Sequence, residues 1–133
     1  MRELDFDTLL FFEGHRSALP IFAALEDRLL ARFPEAEKRV QKTQITYYHR
    51  HVFACVSFAR VKRRADLPEP WLTLTLGLPY PLESERVAVK TEVYPGRWTT
   101  HLVIGSEAEL DEELLGWLEQ AYAFSQRTGV KNR

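Results

Sequence analysis

The stretch WLTLTLGL, residues 71–78, decides the fold. From Leu72 to Leu78 every second residue is leucine, and Thr73, Thr75 and Gly77 lie between them. Strict alternation is typical of a β-strand with one apolar face, because successive side chains point to opposite sides of a sheet. We therefore expect a strand that buries its leucines under a second layer and leaves the threonines on the other side.

The period of two continues on both sides of this strand. Four further strands are predicted, which makes five in all: Lys38–Tyr48, Val52–Arg60, Arg86–Tyr94 and Trp98–Ile104. Pro95-Gly96 predicts a tight turn between the last two, since proline presets one turn residue and glycine accepts positive φ. In Arg86–Tyr94 the valines are predicted to join the buried leucine face.

Helices are predicted on either side of the strands, where apolar residues recur at spacings of three and four. Asp7 and Ser17 are the expected N-caps of two N-terminal helices, and Ser106 with Glu109 forms the expected capping box of a C-terminal one. Short connections favour antiparallel neighbours. The prediction is an α+β two-layer sandwich with N-terminal helices, a five-stranded antiparallel sheet and a C-terminal helix. Residues 1–126 are expected to form one domain and 127–133 a frayed tail.

Composition indicates a globular intracellular protein. The chain has 133 residues, 45% of them hydrophobic and 28% charged, and a net charge of −1 that favours neither nucleic acid nor membrane. Its single cysteine, Cys55, excludes an internal disulfide and suits a reducing cytoplasm. Acidic residues interrupt the apolar N-terminus, so neither a signal peptide nor a membrane partner is expected.

Several short motifs carry a family resemblance. FFEG, KTQI, LTLGLPYPLESERV, GRWTTHLVIGS and ELDEELLGWLEQAY, in this order, resemble the bacterial domain-of-unknown-function family 5655 over about Thr8 to Phe124. More distantly, Pro-Gly, a tryptophan, a strand and a helix closing with Ala-Tyr are similar to the MmcQ/YjbR group, for which DNA binding has been suggested. Both resemblances imply the fold, and neither supplies catalytic residues or cofactors.

The first functional hypothesis concerns the sheet face turned away from the helices. If the leucines and valines are buried, this face carries Thr73, Thr75, Lys90, Glu92, Tyr94, Thr99 and His101. His101 is its centre because imidazole titrates near neutrality and both donates and accepts hydrogen bonds. The ligand or partner surface is expected to comprise Lys90, Tyr94, His101, Thr99 and Thr73. A protein partner or a small ligand fits such a face, and open sheet edges also permit a homodimer.

The alternative is nucleic-acid binding. Eight lysines and arginines lie between Lys38 and Arg64 with no acidic residue among them. Basic side chains bind phosphates by releasing counterions, and neighbouring aromatic rings can stack on bases. The residues expected to carry this activity are Lys42, Arg50, Lys62, Arg63 and Arg64.

An enzyme is the second alternative, centred on His101 or Cys55. By composition Cys55 could pair with His49, His51 or His101, but its mid-strand position in VFACVSF is typical of inert packing. The His-x-His pair suggests a metal site, yet it falls at a predicted turn and lacks a clear third ligand. No metal and no cofactor are predicted.

Overall fold

The computed structural model describes residues 4–131, with side chains described as far as Arg127. It contains three α-helices and six β-strands. The helices are α1 (Phe6–Phe11), α2 (Leu19–Arg32) and α3 (Glu112–Lys131). The strands are β1 (Glu37–Val40), β2 (Gln44–His49), β3 (His51–Ser57), β4 (Leu72–Leu78), β5 (Val87–Tyr94) and β6 (Arg97–Ile104).

The strands form one sheet in the order β1-β2-β3-β4-β6-β5, and every neighbouring pair is antiparallel. The α+β class is confirmed, but the expected number of five strands is wrong. The predicted strand Lys38–Tyr48 is a hairpin of β1 and β2, closed where the Gln41 amide donates to the Gln44 carbonyl at 2.8 Å. Its turn contains no glycine, proline or asparagine, so the usual turn signal is missing.

The order of the last three strands also differs from expectation. β4 and β5 follow one another in the chain, yet β6 lies between them and pairs with both. The segment 79–86 makes this possible, because it crosses to the far side of β6 before β5 begins. β5 is consequently an edge strand.

The helices cover one face of the sheet, as the leucine alternation predicted. Leu72, Leu74, Leu76 and Leu78 are fully buried. In the sheet Leu72 pairs with Ile104 of β6, and Leu74 pairs with Leu102. All four leucines belong to one core with residues of α2 and α3. The leucine face is therefore confirmed.

The valines of β5 do not continue this face. Val87 packs at the margin of the core, whereas Val89 and Val93 are exposed. The reason is a bulge between Val87 and Val89, which reverses the alternation, together with the position of β5 at the edge. The expectation of a second buried ladder is wrong.

The two N-terminal helices begin near their predicted positions, whereas α3 begins at Glu112 and not directly after Ser106; the expected caps are wrong. Asp5, not Asp7, accepts the hydrogen bond from the Thr8 amide at 2.9 Å. Neither Ser17 nor Ser106 caps a helix by its side chain, because 3₁₀ turns precede α2 and α3. Asp111 accepts from the Leu114 amide at 3.0 Å instead. At the other end α3 reaches Lys131; of the tail predicted to fray, 127–133, residues 132 and 133 lie outside the described part.

A buried polar network ties α1 and α2 to the first hairpin. Glu26 of α2 is only 1% exposed, and its carboxylate accepts a hydrogen bond from the Tyr47 hydroxyl at 2.7 Å. The Lys38 ammonium lies 2.9 Å from the same carboxylate oxygen and donates to the Thr8 hydroxyl at 2.8 Å. These contacts hold the helices against one end of the sheet.

Candidate binding face of the sheet

One row of side chains crosses the sheet on the side away from the helices. The strand register pairs Thr46 with Cys55, Cys55 with Thr75, Thr75 with His101, and His101 with Val89. Directly paired residues share a face, so these five side chains lie next to one another from β2 to β5. We refer to this side of the sheet as the His101 face.

His101 lies near the centre of the row and is held by its neighbour. Its Nδ1 is 2.8 Å from the Thr75 hydroxyl, and the ring is half-buried. Burial lowers the pKa of His101 below its ordinary value, because desolvation disfavours the charged imidazolium. The charged imidazolium is therefore disfavoured at this position. Within residues 4–127, Nε2 has no hydrogen-bond partner, which leaves it free to meet a group from another molecule.

Cys55 lies in the same row without an imidazole beside it. Its thiol is 3.9 Å from the Thr46 hydroxyl. Burial raises the pKa of Cys55, and the opposing effects of the Thr46 hydrogen bond and the Arg97 charge are smaller. His101 is two strands away, about 9.6 Å at ordinary strand spacing. His101 at this distance cannot take the proton of the thiol directly.

Arg97 borders this face, a residue that the sequence analysis did not select. Arg97, Thr99 and His101 alternate along β6. A Cβ atom on Gly77 would lie 2.7 Å from Nη2 of Arg97, so the missing side chain of Gly77 makes room for the guanidinium. None of the ion pairs among the described residues involves Arg97. The alternation from His101 back to Arg97 was the signal that could have identified it.

Lys90 does not belong to this face, contrary to expectation. It pairs with Thr100, which is fully buried on the leucine side, and its ammonium donates to the Leu82 carbonyl at 3.0 Å. The bulge between Val87 and Val89 shifts the alternation by one residue, so Val89 and Thr91 lie beside His101 and Thr99 instead.

The other predicted face residues occupy different positions. Thr73 is fully buried, and its hydroxyl donates to the Ala59 carbonyl at 2.8 Å, so it cannot serve as a contact surface. Thr99 lies between Gly77 and Thr91 on the His101 face. Tyr94 is exposed at the far end of β5, opposite Arg97. Of the predicted surface residues, Thr99 thus lies close to His101, whereas Thr73 and Lys90 are not available on the His101 face.

The basic residues of the nucleic-acid hypothesis lie at two ends of the sheet. Arg50 is in the turn between β2 and β3, and Lys62 follows β3 at its other end. The seven residues of β3 separate them by about 23 Å at ordinary strand rise. Lys42 shares the end of Lys62 but lines a different cleft, with Phe11 and His15. Arg63 pairs with Asp66 at 3.1 Å. Arg50 is therefore separated from the other basic residues of this hypothesis.

The His-x-His pair is divided between different environments. His49 lies 3.5 Å from a carboxylate oxygen of Glu35 and stacks on Tyr122, whereas His51 is exposed. No group of three or more histidines, cysteines or acidic residues within the described ranges is arranged to hold a metal ion.

Together the fold and this face define a class of protein: an α+β domain with a six-stranded antiparallel sheet covered by helices on one side. The family model named Domain of unknown function (DUF5655) matches residues 10–125. The chain belongs to this family, as its motifs predicted. No curated protein and no solved structure matches the chain. The likeness to the MmcQ/YjbR group stays a prediction.

Within residues 4–131, no helix combines the length and the apolar character that crossing a membrane requires.

Proposed function

We propose that this domain is a binding module whose ligand or protein partner docks on the His101 face. The observation that carries the proposal is the held imidazole: the Thr75 hydroxyl lies 2.8 Å from Nδ1 of His101, while Nε2 has no partner among the described residues. A ring oriented in this way is preorganised, so binding costs little side-chain entropy. Strands on both sides hold its backbone rigid.

The neighbours of His101 suggest the chemistry of the ligand. Thr99 and Thr91 lie side by side next to it and offer hydroxyl groups that donate and accept hydrogen bonds. Arg97 provides a cation without a carboxylate partner among the described ion pairs. A ligand with amide or hydroxyl groups over His101 and an acidic group at Arg97 fits this arrangement, since a guanidinium binds carboxylates in a bidentate manner.

A fragment screen followed by nuclear magnetic resonance tests this proposal. With ¹⁵N-labelled protein and a library of small amides, alcohols and carboxylates, we expect amide shifts centred on Thr75, Thr99 and His101. His101→Ala should abolish these shifts while circular dichroism shows an intact fold. His51→Ala is the matched control, because His51 is an exposed histidine in the β2–β3 hairpin. Shifts confined to the cleft of Phe11, or unchanged by His101→Ala, would contradict the proposal.

Nucleic-acid binding remains the alternative proposal, with less support because Arg50 lies about one strand length from Lys62. It predicts retention on heparin at low salt that falls steeply as salt rises, since each phosphate contact releases a counterion. Arg63→Ala combined with Arg64→Ala should weaken that retention. A protein that passes through heparin at low salt does not use this mechanism. An enzymatic role for Cys55 has the least support, because no histidine is its direct neighbour in the register.

A further inference from the structure

The two edges of the sheet differ in accessibility. β1 has four residues, and its Lys38 is tied to α1 through Thr8 and Asp5. β5 has eight residues and, among the described elements, pairs only with β6. One side of its backbone is therefore open to a further strand. An open edge of this length is a template for pairing with another chain.

The side chains of β5 make this edge unusually apolar. Val89, Val93 and Tyr94 are 37%, 51% and 56% exposed. The other large apolar side chains with such exposure in residues 4–127 lie on α1, apart from Val52. Bulges occur near both ends of β5, but Val89–Glu92 stays in continuous register with β6. This stretch is straight enough to accept a neighbour.

Symmetry restricts how a second copy can pair with β5. Two copies that join antiparallel edges into a continuous sheet are related by a two-fold axis perpendicular to it. This axis keeps each face on its own side, and paired residues share a face. Each residue must therefore pair with one of the same face, so the axis passes through a residue and not between two.

Electrostatics selects one of the central registers. If Lys90 or Glu92 lies on the axis, it faces its own copy and like charges oppose each other. If Thr91 lies on the axis, Lys90 faces the partner's Glu92 and the two threonines meet. Val89 then lies next to the partner's Val93, at the start of the bulge. Opposite charges, apolar pairs and threonine pairs all stabilise neighbouring strands, whereas like charges destabilise them. The segment VKTEV is thus complementary to itself in this register.

The existing contacts of the two charged residues are compatible with this pairing. The Lys90 ammonium donates to Leu82 and lies 3.0 Å from the exposed Glu83 carboxylate. An ammonium has three N–H donors, so one remains for the partner's Glu92. Glu92 accepts from the Gly96 amide through Oε2, which leaves its second oxygen available.

We propose that the protein forms a homodimer by antiparallel pairing of β5 with β5 of a second copy, with Thr91 on the two-fold axis. The two sheets join into one of twelve strands, since each copy contributes six. The His101 faces then lie on the same side, and Thr99 and Thr91 of both copies form a continuous row across the junction. This inference is independent of the proposed ligand.

Charge exchange tests both the dimer and its register. Sedimentation velocity should find the wild type dimeric, and Glu92→Lys or Lys90→Glu alone should weaken dimerisation by at least about tenfold. A mixture of these two variants should dimerise again, because every Lys–Glu contact is restored between unlike copies. Circular dichroism checks that each variant is folded. A wild type that is monomeric at the highest soluble concentration overturns the proposal, as does a mixture that stays monomeric.

A disulfide across the axis provides a second measurement that does not depend on Lys90. Facing residues of antiparallel strands have Cα atoms about 4.5–5.5 Å apart, within the range of a disulfide. In a Cys55→Ala background, Thr91→Cys should cross-link under mild oxidation. Thr99→Cys is the control, because the two β6 strands would be about 14 Å apart. Equal cross-linking of both variants, or none by Thr91→Cys, refutes this register.

Discussion

Replacing Lys38 by methionine tests whether the buried network of Glu26, Lys38 and Tyr47 holds the helices to the sheet. The substitution removes the ammonium 2.9 Å from the Glu26 carboxylate but keeps the aliphatic stem. Glu26 is 1% exposed, so its charge would stay buried with the Tyr47 hydroxyl as its remaining partner among the contacts described above. Breaking a buried pair from one side costs about 3–5 kcal/mol, because the other charge is left uncompensated.

The lower end of that range is appropriate here, since Tyr47 still donates a hydrogen bond to Glu26. A loss of about 3 kcal/mol corresponds to a fall in Tm of about 12 °C for a domain of this size. Urea unfolding followed by tryptophan fluorescence measures the free energy, and calorimetry measures the Tm. The double variant Lys38→Met with Glu26→Gln should recover most of the loss, because no charge is then buried.

Arg63→Met is the surface control, since Arg63 and Asp66 form an exposed pair 3.1 Å apart. Exposed pairs contribute little, so we expect no measurable change. The reasoning is refuted if Lys38→Met costs less than about 1 kcal/mol, or if the double variant is as unstable as the single one.

Three further predictions concern His101, two glycines and Cys55. Burial lowers the pKa of His101 in the folded state from 6.5, so as pH falls the unfolded chain binds the proton before the folded chain does. Protonation therefore favours unfolding, and the free energy of unfolding of the wild type should decrease as pH falls through 6.5, compared with that of His101→Gln. Urea unfolding at about pH 7.5 and about pH 5 measures this, and a constant difference would contradict it. Gly105→Ala should destabilise by about 1–3 kcal/mol, because its Cβ would lie 2.6 Å from the Pro68 ring. Gly116→Ala should stabilise by about 0.5–1 kcal/mol, because alanine favours the helical backbone of α3 more than glycine does and its Cβ meets no atom within 4 Å. Equal effects of the two substitutions on urea unfolding would refute this reasoning. Cys55, with its pKa raised by burial, should react with a thiol reagent at least about tenfold more slowly in the native state than in urea, and equal rates would show an accessible thiolate.

Sequence alternation predicted the central strand β4 well because this strand pairs with a neighbour on both edges. Leu72 to Leu78 pair with β6 over seven consecutive residues without a bulge. In such a strand a slip by one residue would turn every leucine away from the core, so pattern and register must agree. The same continuity placed His101 and Thr99 correctly on the face opposite the leucines.

The errors have separate physical causes. The hairpin at Gln41–Gln44 was missed because its turn uses none of the residues that mark turns by their backbone preferences. The insertion of β6 between β4 and β5 is a choice between long-range strand pairings, which local sequence patterns do not report. Lys90 was assigned to the wrong face because a bulge adds one residue to one strand and reverses the parity beyond it.

The bulges of β5 and the dimer proposed for it have a common origin in its edge position. A strand between two neighbours must satisfy hydrogen bonds on both sides, so an extra residue disturbs two pairings wherever both continue. The extra residue of β3, Phe53, lies just outside the pairing with β4, which begins at Ala54. β5 has one neighbour among the described strands, so a bulge near either end disturbs only its pairing with β6. Because β5 has no second neighbour among the described strands, the backbone amides and carbonyls of Val89–Glu92 that point away from β6 have no strand to pair with. The strand in which alternation is least reliable is therefore the strand best able to accept a second copy, and its charges decide the register.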